Sequence, residues 1–277
     1  MSKYIVLGHM RSGSSVLNEA LEFHPDLNVA YEIFHPASSI ELTNIPDIKD
    51  IMFELYGFRK WTTTESIFCC RWQKGPDEEI FSKQGKFSIG EYRTILDSVP
   101  LDLLIEKVFE RYDGFKILYN QLRRNYKVWD YLASYPDLKV VHIYRRNALE
   151  SLVSLYLAHS SGDWQRRTWG KKIDDQPFYL DPKIAEEYFY SMDFEIEHYT
   201  SMFKNSINIE YNDLMNWDET LFKVQDFLEV KRQPLEKKYL KRNTKNIPEL
   251  ILNYKELVNV FKDTKWASHF CFRKLFI

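Results

Sequence analysis

Hydrophobic and polar positions along the chain divide it into short apolar runs and longer amphipathic stretches. The apolar runs predict buried strands at Lys3–Leu7, Leu27–Tyr31, Gly114–Tyr119, Lys139–Tyr144 and Ser206–Tyr211. Between and after them, apolar residues recur at helical spacing, which predicts helices at Ser14–Phe23, Leu101–Tyr112, Tyr126–Ser134, Leu149–Leu157, Pro182–Phe203, Asp218–Leu228 and Pro248–Phe261.

The alternation of strands and helices predicts an α/β fold. We expect a three-layer, P-loop-like parallel sheet flanked by helices, in a single domain over residues 1–277. Lys139–Tyr144 (KVVHIY) is apolar without alternation, which is typical of a central strand covered on both faces. Residues 38–100 show no clear strand pattern and are expected to be an irregular or helical insertion. His159–Asp181 is polar, basic and aromatic, and is predicted to be a functional lid.

The first predicted strand and helix are joined by Gly8–Ser15 (GHMRSGSS), which has the features of a phosphate-binding loop. It fits the pattern G-x4-G-K-[ST] except that Ser14 stands where the pattern has lysine. Gly8 and Gly13 permit a tight turn and close approach to a ligand, and the helix start presents free N–H groups to an anion. The alternative is an ordinary strand–helix turn with a serine cap. The side chains predicted to donate to the anion are those of Arg11, Ser12, Ser14 and Ser15.

The missing lysine bears on which nucleotide the loop would hold. A nucleotide-hydrolysing P-loop uses that lysine on the β- and γ-phosphates, together with an aspartate after a neighbouring strand that holds Mg²⁺. Neither Lys139–Tyr144 nor Ser206–Tyr211 ends in an aspartate. The loop therefore favours a nucleotide without a γ-phosphate, and no metal is expected. A P-loop nucleoside or metabolite kinase stays open as an alternative.

A second group of anion-binding residues follows the strongest predicted strand. Arg145 and Arg146 come directly after it, and Ser154 lies eight residues beyond Arg146 on the next helix. Ligands of open α/β sheets bind at the carboxyl ends of the strands. Arg146 and Ser154 are therefore predicted to hold one phosphate between them, unless the arginines form a solvated surface pair.

Two motifs resemble those of a known family. Gly8–Ser15 resembles the 5′-phosphosulfate loop of the sulfotransferases in its R-S-G-S-S form, and RNALESLVSLY resembles their 3′-phosphate motif, with Arg146 and Ser154 on the contact positions. INIEYNDL and NTKNIPELILNYKELVNVFKDTKW also resemble family segments. The resemblance runs from Tyr4 to about Trp266 and is weakest between Ser38 and Pro100. It is closest to the bacterial members that act on nodulation factors, glycolipids and other glycans.

The resemblance implies an enzyme that moves a sulfuryl group from 3′-phosphoadenosine 5′-phosphosulfate (PAPS), its co-substrate, to a hydroxyl. The acceptor would be a glycan, a glycolipid or a small metabolite, in a pocket shaped by residues 38–100 and the predicted lid. The donor contacts implied are Arg11, Ser12, Gly13, Ser14, Ser15, Arg146 and Ser154.

Three residues are predicted to take part in the chemistry. Arg11 would stabilise charge on the leaving phosphate. Glu32, which directly follows the second strand, would be the general base, with His35 as its rival. The alternative for Glu32 is a structural role, such as pairing with Arg11 or capping. Lys116 is predicted either to reach the sulfate or to be an edge-of-sheet lysine holding a carboxylate. His142 is predicted to be a core histidine with its hydrogen bonds satisfied.

One family feature is missing from the tail of the chain. The basic, glycine-rich loop by which animal members hold the 3′-phosphate is absent, and Lys241, Arg242 and Lys245 are the candidates to replace it. Solvated charges are the alternative reading of these three residues.

Charge and composition bear on the binding partners and cellular location that we expect. A formal net charge of −2 does not favour nucleic acid or an anionic membrane. Three cysteines are too few for a disulfide framework, and no apolar run is long enough to cross a membrane. We therefore expect a cytoplasmic location. A non-catalytic nucleotide-binding module stays open as an alternative function, and the sequence makes no prediction of oligomeric state.

Overall fold

The structure, a computed structural model, describes residues 2–32, 80–81, 86–87, 101–121, 126–161, 176–237 and 246–271. Within them, five parallel strands form one sheet in the order β2-β5-β1-β6-β7, and β3 and β4 form a separate antiparallel pair. The strands are β1 (Tyr4–Gly8), β2 (Val29–Glu32), β3 (Ile80–Phe81), β4 (Lys86–Phe87), β5 (Gly114–Leu118), β6 (Lys139–Tyr144) and β7 (Ser206–Glu210).

Helices join the strands of the sheet, as the hydrophobic pattern predicts. They are α1 (Ser14–Glu22), α2 (Leu101–Arg111), α3 (Tyr126–Ser134), α4 (Ala148–Ser161), α5 (Pro182–Met202), α6 (Trp217–Leu228), α7 (Ile247–Leu250) and α8 (Tyr254–Phe261). Short 3₁₀ turns follow β5 (Tyr119–Gln121), β7 (Tyr211–Met215) and α8 (Ala267–Phe270).

Helices cover both faces of the sheet. On one face, side chains such as Leu7 and Ile117 pack against α2, α3 and the end of α5. On the other face, side chains such as Val6 and Ile143 pack against α1 and α6. Every residue of β1, β5 and β6 is buried because these inner strands are covered on both sides. The predicted three-layer α/β fold is confirmed.

The chain changes direction between β1 and β6. From β1 it passes through α1 to β2 on one side of the sheet, and from β6 it passes through α4 and α5 to β7 on the other. All five strands are parallel, so their carboxyl ends share one edge. Where neighbouring strands send the chain in opposite directions, the loops separate and leave a crevice in which α/β proteins bind ligands.

One predicted helix is wrong. The stretch Pro248–Phe261 is two helices, α7 and α8, because Ile251 between them is extended, with φ −108° and ψ 110°. Ile251 pairs with Phe178: the Phe178 N–H donates to Leu250 O, and the Leu252 N–H donates to Phe178 O, both at 2.9 Å. Two hydrogen bonds to a distant segment outweigh the local helical preference.

The predicted lid and insertion are described only in part. Helix α4 continues to Ser161, into the segment predicted as lid, and residues 162–175 lie outside the described residues. Of the predicted insertion, only β3 and β4 are described, so its role and the single-domain organisation stay predictions. No helix in the described part of the chain is both long and apolar enough to span a membrane.

Candidate functional site

The loop between β1 and α1 alternates in backbone handedness. Arg11 has φ 68° and Gly13 has φ 92°, while Met10 and Ser12 keep negative φ. This alternation turns successive N–H groups towards one concavity, a nest that binds anions in phosphate-binding loops. Arg11 holds a conformation that non-glycine residues rarely adopt, as is common at ligand-binding loops.

The start of α1 adds further donors to this loop. Gly13 is the N-cap residue and, within the described residues, no side chain caps the nine-residue helix. The alternative of a serine-capped turn is therefore wrong, and the first amides of α1 are available to an anion. Ser12 is fully buried, and its Oγ has no hydrogen-bond partner in the described part of the chain. Ser14 is also buried.

The two glycines of the loop are needed for space as well as conformation. A Cβ on Gly8 would lie 2.5 Å from Ile143 O and 2.7 Å from Ser12 Oγ, so the end of β1 touches β6 too closely for any side chain. A Cβ on Gly13 would lie 3.0 Å from the ring of Tyr211. The loop is thus enclosed by the ends of β6 and β7.

Lys116 extends from the neighbouring strand β5 to the first turn of α1. It lies on β5, between β2 and β1, is 1% exposed, and its Nζ donates to Ser15 Oγ over 2.7 Å in the first turn of α1. The reading of Lys116 as an edge-of-sheet residue is therefore wrong. A buried ammonium at the first turn of α1 adds positive potential where the nest already favours an anion.

The two candidates for the general base lie at the limit of the described structure. Glu32 is the last residue of β2, and its Cα is the register partner of Lys116. Its backbone therefore lies on the strand next to β5, one strand further from the nest than Lys116. The Glu32 side chain and all of His35 lie outside the described residues, so the roles predicted for them stay predictions.

The second predicted group meets the first through one hydrogen bond. Arg11 Nε donates to Ser154 Oγ over 3.1 Å, and Ser154 is buried on the second turn of α4. The residues predicted from two motifs 143 positions apart are therefore in direct contact at the crevice.

Arg146 stands at the rim of the same crevice. Its side chain is 72% exposed, and its Nε lies 3.3 Å from Glu210 Oε2. Sequence reasoning missed Glu210. In the structure, the register of β6 and β7 places Tyr144 beside Glu210, so the end of β7 brings Glu210 close to Arg146.

Arg145 points inward, unlike its neighbour. Its guanidinium carbon lies 3.5 Å from the centroid of the Tyr211 ring, and Nη1 donates to Glu150 O over 3.4 Å. Of the two consecutive arginines, Arg145 is therefore buried and Arg146 is exposed. The surface-pair reading therefore fails for Arg145. The same Tyr211 ring packs against Gly13, which joins the β6 end to the nest.

Two buried histidines lie near the site. His142 bonds through Nε2 to Tyr119 Oη and through Nδ1 to Asn208 Oδ1 at 3.0 Å, so the prediction of a satisfied core histidine is confirmed. Burial lowers the pKa of His142 to about 4. Burial, aided by the charge of Arg145, lowers the pKa of His9 to about 3. Sequence reasoning gave His9 no role.

Two further questions concern the basic residues predicted to hold the 3′-phosphate and the possibility of a metal site. Lys241, Arg242 and Lys245 lie outside the described residues. Within the described ranges, no group of three His, Cys, Asp or Glu side chains is arranged to hold a metal ion. Among the described residues, Arg11, Arg145 and Arg146 place cations at the carboxyl edge of the sheet, and Lys116 on β5 extends its ammonium to the first turn of α1.

Comparison with known proteins gives the following matches. No protein-family model and no curated protein sequence matches the chain. Among solved structures, a sulfotransferase domain from the curacin biosynthetic pathway has a TM-score of 0.46 and 14% identity, covering 97% of this chain and 95% of that one. A sulfotransferase domain from the Synechococcus PCC 7002 olefin synthase has a TM-score of 0.46 and 12% identity, covering 92% and 82%.

Proposed function

We propose that this chain is a sulfotransferase that uses PAPS as its donor and a hydroxyl as its acceptor. The observation that carries the proposal is the hydrogen bond from Arg11 to Ser154. It joins an anion-binding nest after β1 to a helix that begins beside a strand-end arginine, Arg146. Two adjoining anion sites in one crevice suit an adenosine that carries phosphates at both its 5′ and 3′ positions.

The nest would hold the 5′-phosphosulfate. The amides at the start of α1 and the hydroxyl of Ser12 would face its oxygens, and the ammonium of Lys116 would approach from β5. During transfer, the acceptor oxygen forms a bond to sulfur while the bond between sulfur and the bridging phosphate oxygen breaks. Negative charge then grows on the leaving phosphate, where Arg11 and the nest amides stabilise it.

The other end of the crevice would hold the 3′-phosphate. Ser154 offers a hydroxyl that Arg11 already orients, and Arg146 offers a guanidinium at the strand end. The ion pair between Arg146 and Glu210 joins a side chain that is 72% exposed to one that is 30% exposed, so solvent screens it and it contributes little to stability. A phosphate dianion can replace that carboxylate as the partner of Arg146 at small cost.

The acceptor proton needs a base beside the nest. Glu32 is our first candidate, because the backbone of β2 ends at the register position of Lys116, which contacts the first turn of α1. His35 is the second candidate, since an unperturbed imidazole already titrates near neutral pH. In either case the proton moves from the acceptor hydroxyl to the side chain as the oxygen–sulfur bond forms.

Thermal denaturation with alternative ligands tests this proposal. At about 100 times its Kd, 3′-phosphoadenosine 5′-phosphate (PAP), the nucleotide product, is expected to raise the Tm by roughly 5 °C or more, because it binds the native state alone. ATP with Mg²⁺ is expected to shift the Tm less. A larger shift with ATP that depends on Mg²⁺ would favour the kinase alternative, and no shift with PAP would contradict the proposal.

A further inference from the structure

His9 joins the two loops that form the crevice. It lies in the nest loop, is 3% exposed, and contacts Met10 O through Nδ1 at 2.7 Å. On its other side, Nε2 accepts from the backbone N–H of Arg145 at 3.0 Å, directly after β6. One imidazole therefore spans from the β1 loop to the β6–α4 junction.

These partners fix the protonation of His9. A carbonyl oxygen can only accept, so Nδ1 carries the proton, and a backbone N–H can only donate, so Nε2 must be bare. A protonated ring would lose its bond from Arg145. Burial keeps the ring neutral at physiological pH, since the pKa of His9 is lowered to about 3.

The bond to Met10 O has a consequence for the nest. A trans peptide is planar, so its C=O and N–H point in opposite directions, and the described residues contain no cis peptide bond. Fixing the Met10 carbonyl towards His9 therefore fixes the Arg11 N–H in the opposite direction. Arg11 also has an unfavourable φ of 68°. If the Met10 carbonyl lost its hydrogen bond to His9, the Met10–Arg11 peptide could rotate, and Arg11 could then leave this unfavourable φ.

Helix α4 supports the same carbonyl. Ser151 Oγ lies 3.4 Å from Met10 O and 3.3 Å from His9 Nδ1, and it is 3.0 Å from Tyr188 Oη. Ser151 lies three residues before Ser154 on α4, so both serines face the nest loop. The contact from Arg11 to Ser154 depends on where this loop sits.

We propose that His9 is a positioning residue of the donor site, holding the Met10–Arg11 peptide and the β6–α4 junction so that the anion-binding nest is formed before the nucleotide arrives. The proposal rests on the proposed function, because it concerns binding of the same doubly phosphorylated nucleotide. His9 itself is buried and acts through the backbone rather than by touching the nucleotide.

A series of three substitutions separates the two bonds of His9. In His9→Asn, the amide nitrogen takes the place of Nδ1 and keeps the hydrogen bond to Met10 O. In His9→Gln, the amide oxygen takes the place of Nε2 and keeps the hydrogen bond from the Arg145 N–H. His9→Phe keeps an aromatic ring but neither hydrogen bond. Calorimetric titration with PAP is expected to give about 10- to 100-fold weaker binding for His9→Phe, as expected when buried hydrogen bonds are lost. His9→Asn is expected to recover more affinity than His9→Gln.

His24 provides the matched control. It is 1% exposed, and its ring likewise makes one bond to a carbonyl, Lys231 O at 2.8 Å, and accepts one from a backbone amide, Asp26 N at 3.1 Å. His24 follows the C-terminal end of α1, whereas the nest precedes the N-terminal end of the same helix. His24→Phe is expected to lower the Tm as His9→Phe does, while its Kd for PAP stays within twofold of wild type.

The outcomes separate this inference from the proposed function. Failure of the wild-type protein to bind PAP would refute the proposed function. Wild-type binding that His9→Phe does not weaken, or that His9→Gln restores better than His9→Asn, would refute the role of His9. Ring ¹⁵N shifts of the wild-type protein at pH 7 add a test that needs no variant: we expect the neutral Nδ1–H form, and a protonated or Nε2–H ring would overturn the inference.

Discussion

Arg11→Ala is expected to weaken binding of PAP roughly 100-fold, because the guanidinium supplies charge-assisted hydrogen bonds in a partly buried site. It should also lose the contact with Ser154, which connects the two anion sites. Alanine at φ 68° carries the same backbone strain as arginine, so the substitution does not itself change the conformational preference of the loop. Calorimetric titration of the folded variant measures the effect.

Two further variants give this prediction its controls. Arg11→Lys keeps the charge but loses the planar fork, so its affinity is expected to lie between those of wild type and Arg11→Ala. Arg232 is an exposed arginine paired with Asp226 near the end of α6, and Arg232→Ala is expected to bind PAP as wild type does. Equal losses in Arg11→Ala and Arg232→Ala would show a general effect of charge, which would contradict a specific role for Arg11.

Acidification is expected to destabilise the protein between pH 6.5 and about pH 4, through His9 and His142. Burial lowers the pKa of His9 to about 3 and that of His142 to about 4, both below the ordinary 6.5. In that window the unfolded chain binds protons that the folded chain cannot, so the free energy of unfolding falls as the pH falls. Each histidine accounts for up to about 1.4 kcal/mol per pH unit. Their contribution is fully present above pH 6.5.

Urea unfolding at a series of pH values measures this dependence. His142→Gln removes one of the two groups and is expected to give a shallower slope between pH 6.5 and pH 4, whatever its stability at pH 7.5. His9→Gln is expected to give a similar reduction. A slope that neither substitution alters would show that other groups cause the acid sensitivity and that the two rings are not held neutral.

The strands and the nest loop could be predicted from the sequence because their signals are local. An apolar run such as Lys139–Tyr144 specifies a buried strand without help from the rest of the chain. The glycines at positions 8 and 13 indicate a close approach and a left-handed residue, and the structure has both. The order of strands in the sheet did not follow from these signals, because pairing depends on which distant strands meet.

The features that the sequence did not reveal depend on long-range contacts. The break between α7 and α8 exists because Ile251 pairs with Phe178. The role of His9 arises from its bond to Arg145, 136 positions away. The ion pair between Glu210 and Arg146 depends on the pairing of β7 with β6, which the sequence does not show. Whether Lys116 reaches the donor site or lies at the edge of the sheet depends on the position of β5, which the sequence does not show.

Calorimetric titration with two nucleotides tests most directly whether one ligand spans both anion sites. PAP carries both phosphates, and adenosine 5′-monophosphate lacks the 3′-phosphate. The wild-type protein is expected to bind PAP at least roughly 10-fold more tightly than adenosine 5′-monophosphate, and Arg146→Ala is expected to remove most of that difference while leaving the weaker ligand unaffected. Equal affinity of the wild-type protein for the two nucleotides would contradict a site that grips the nucleotide at both ends.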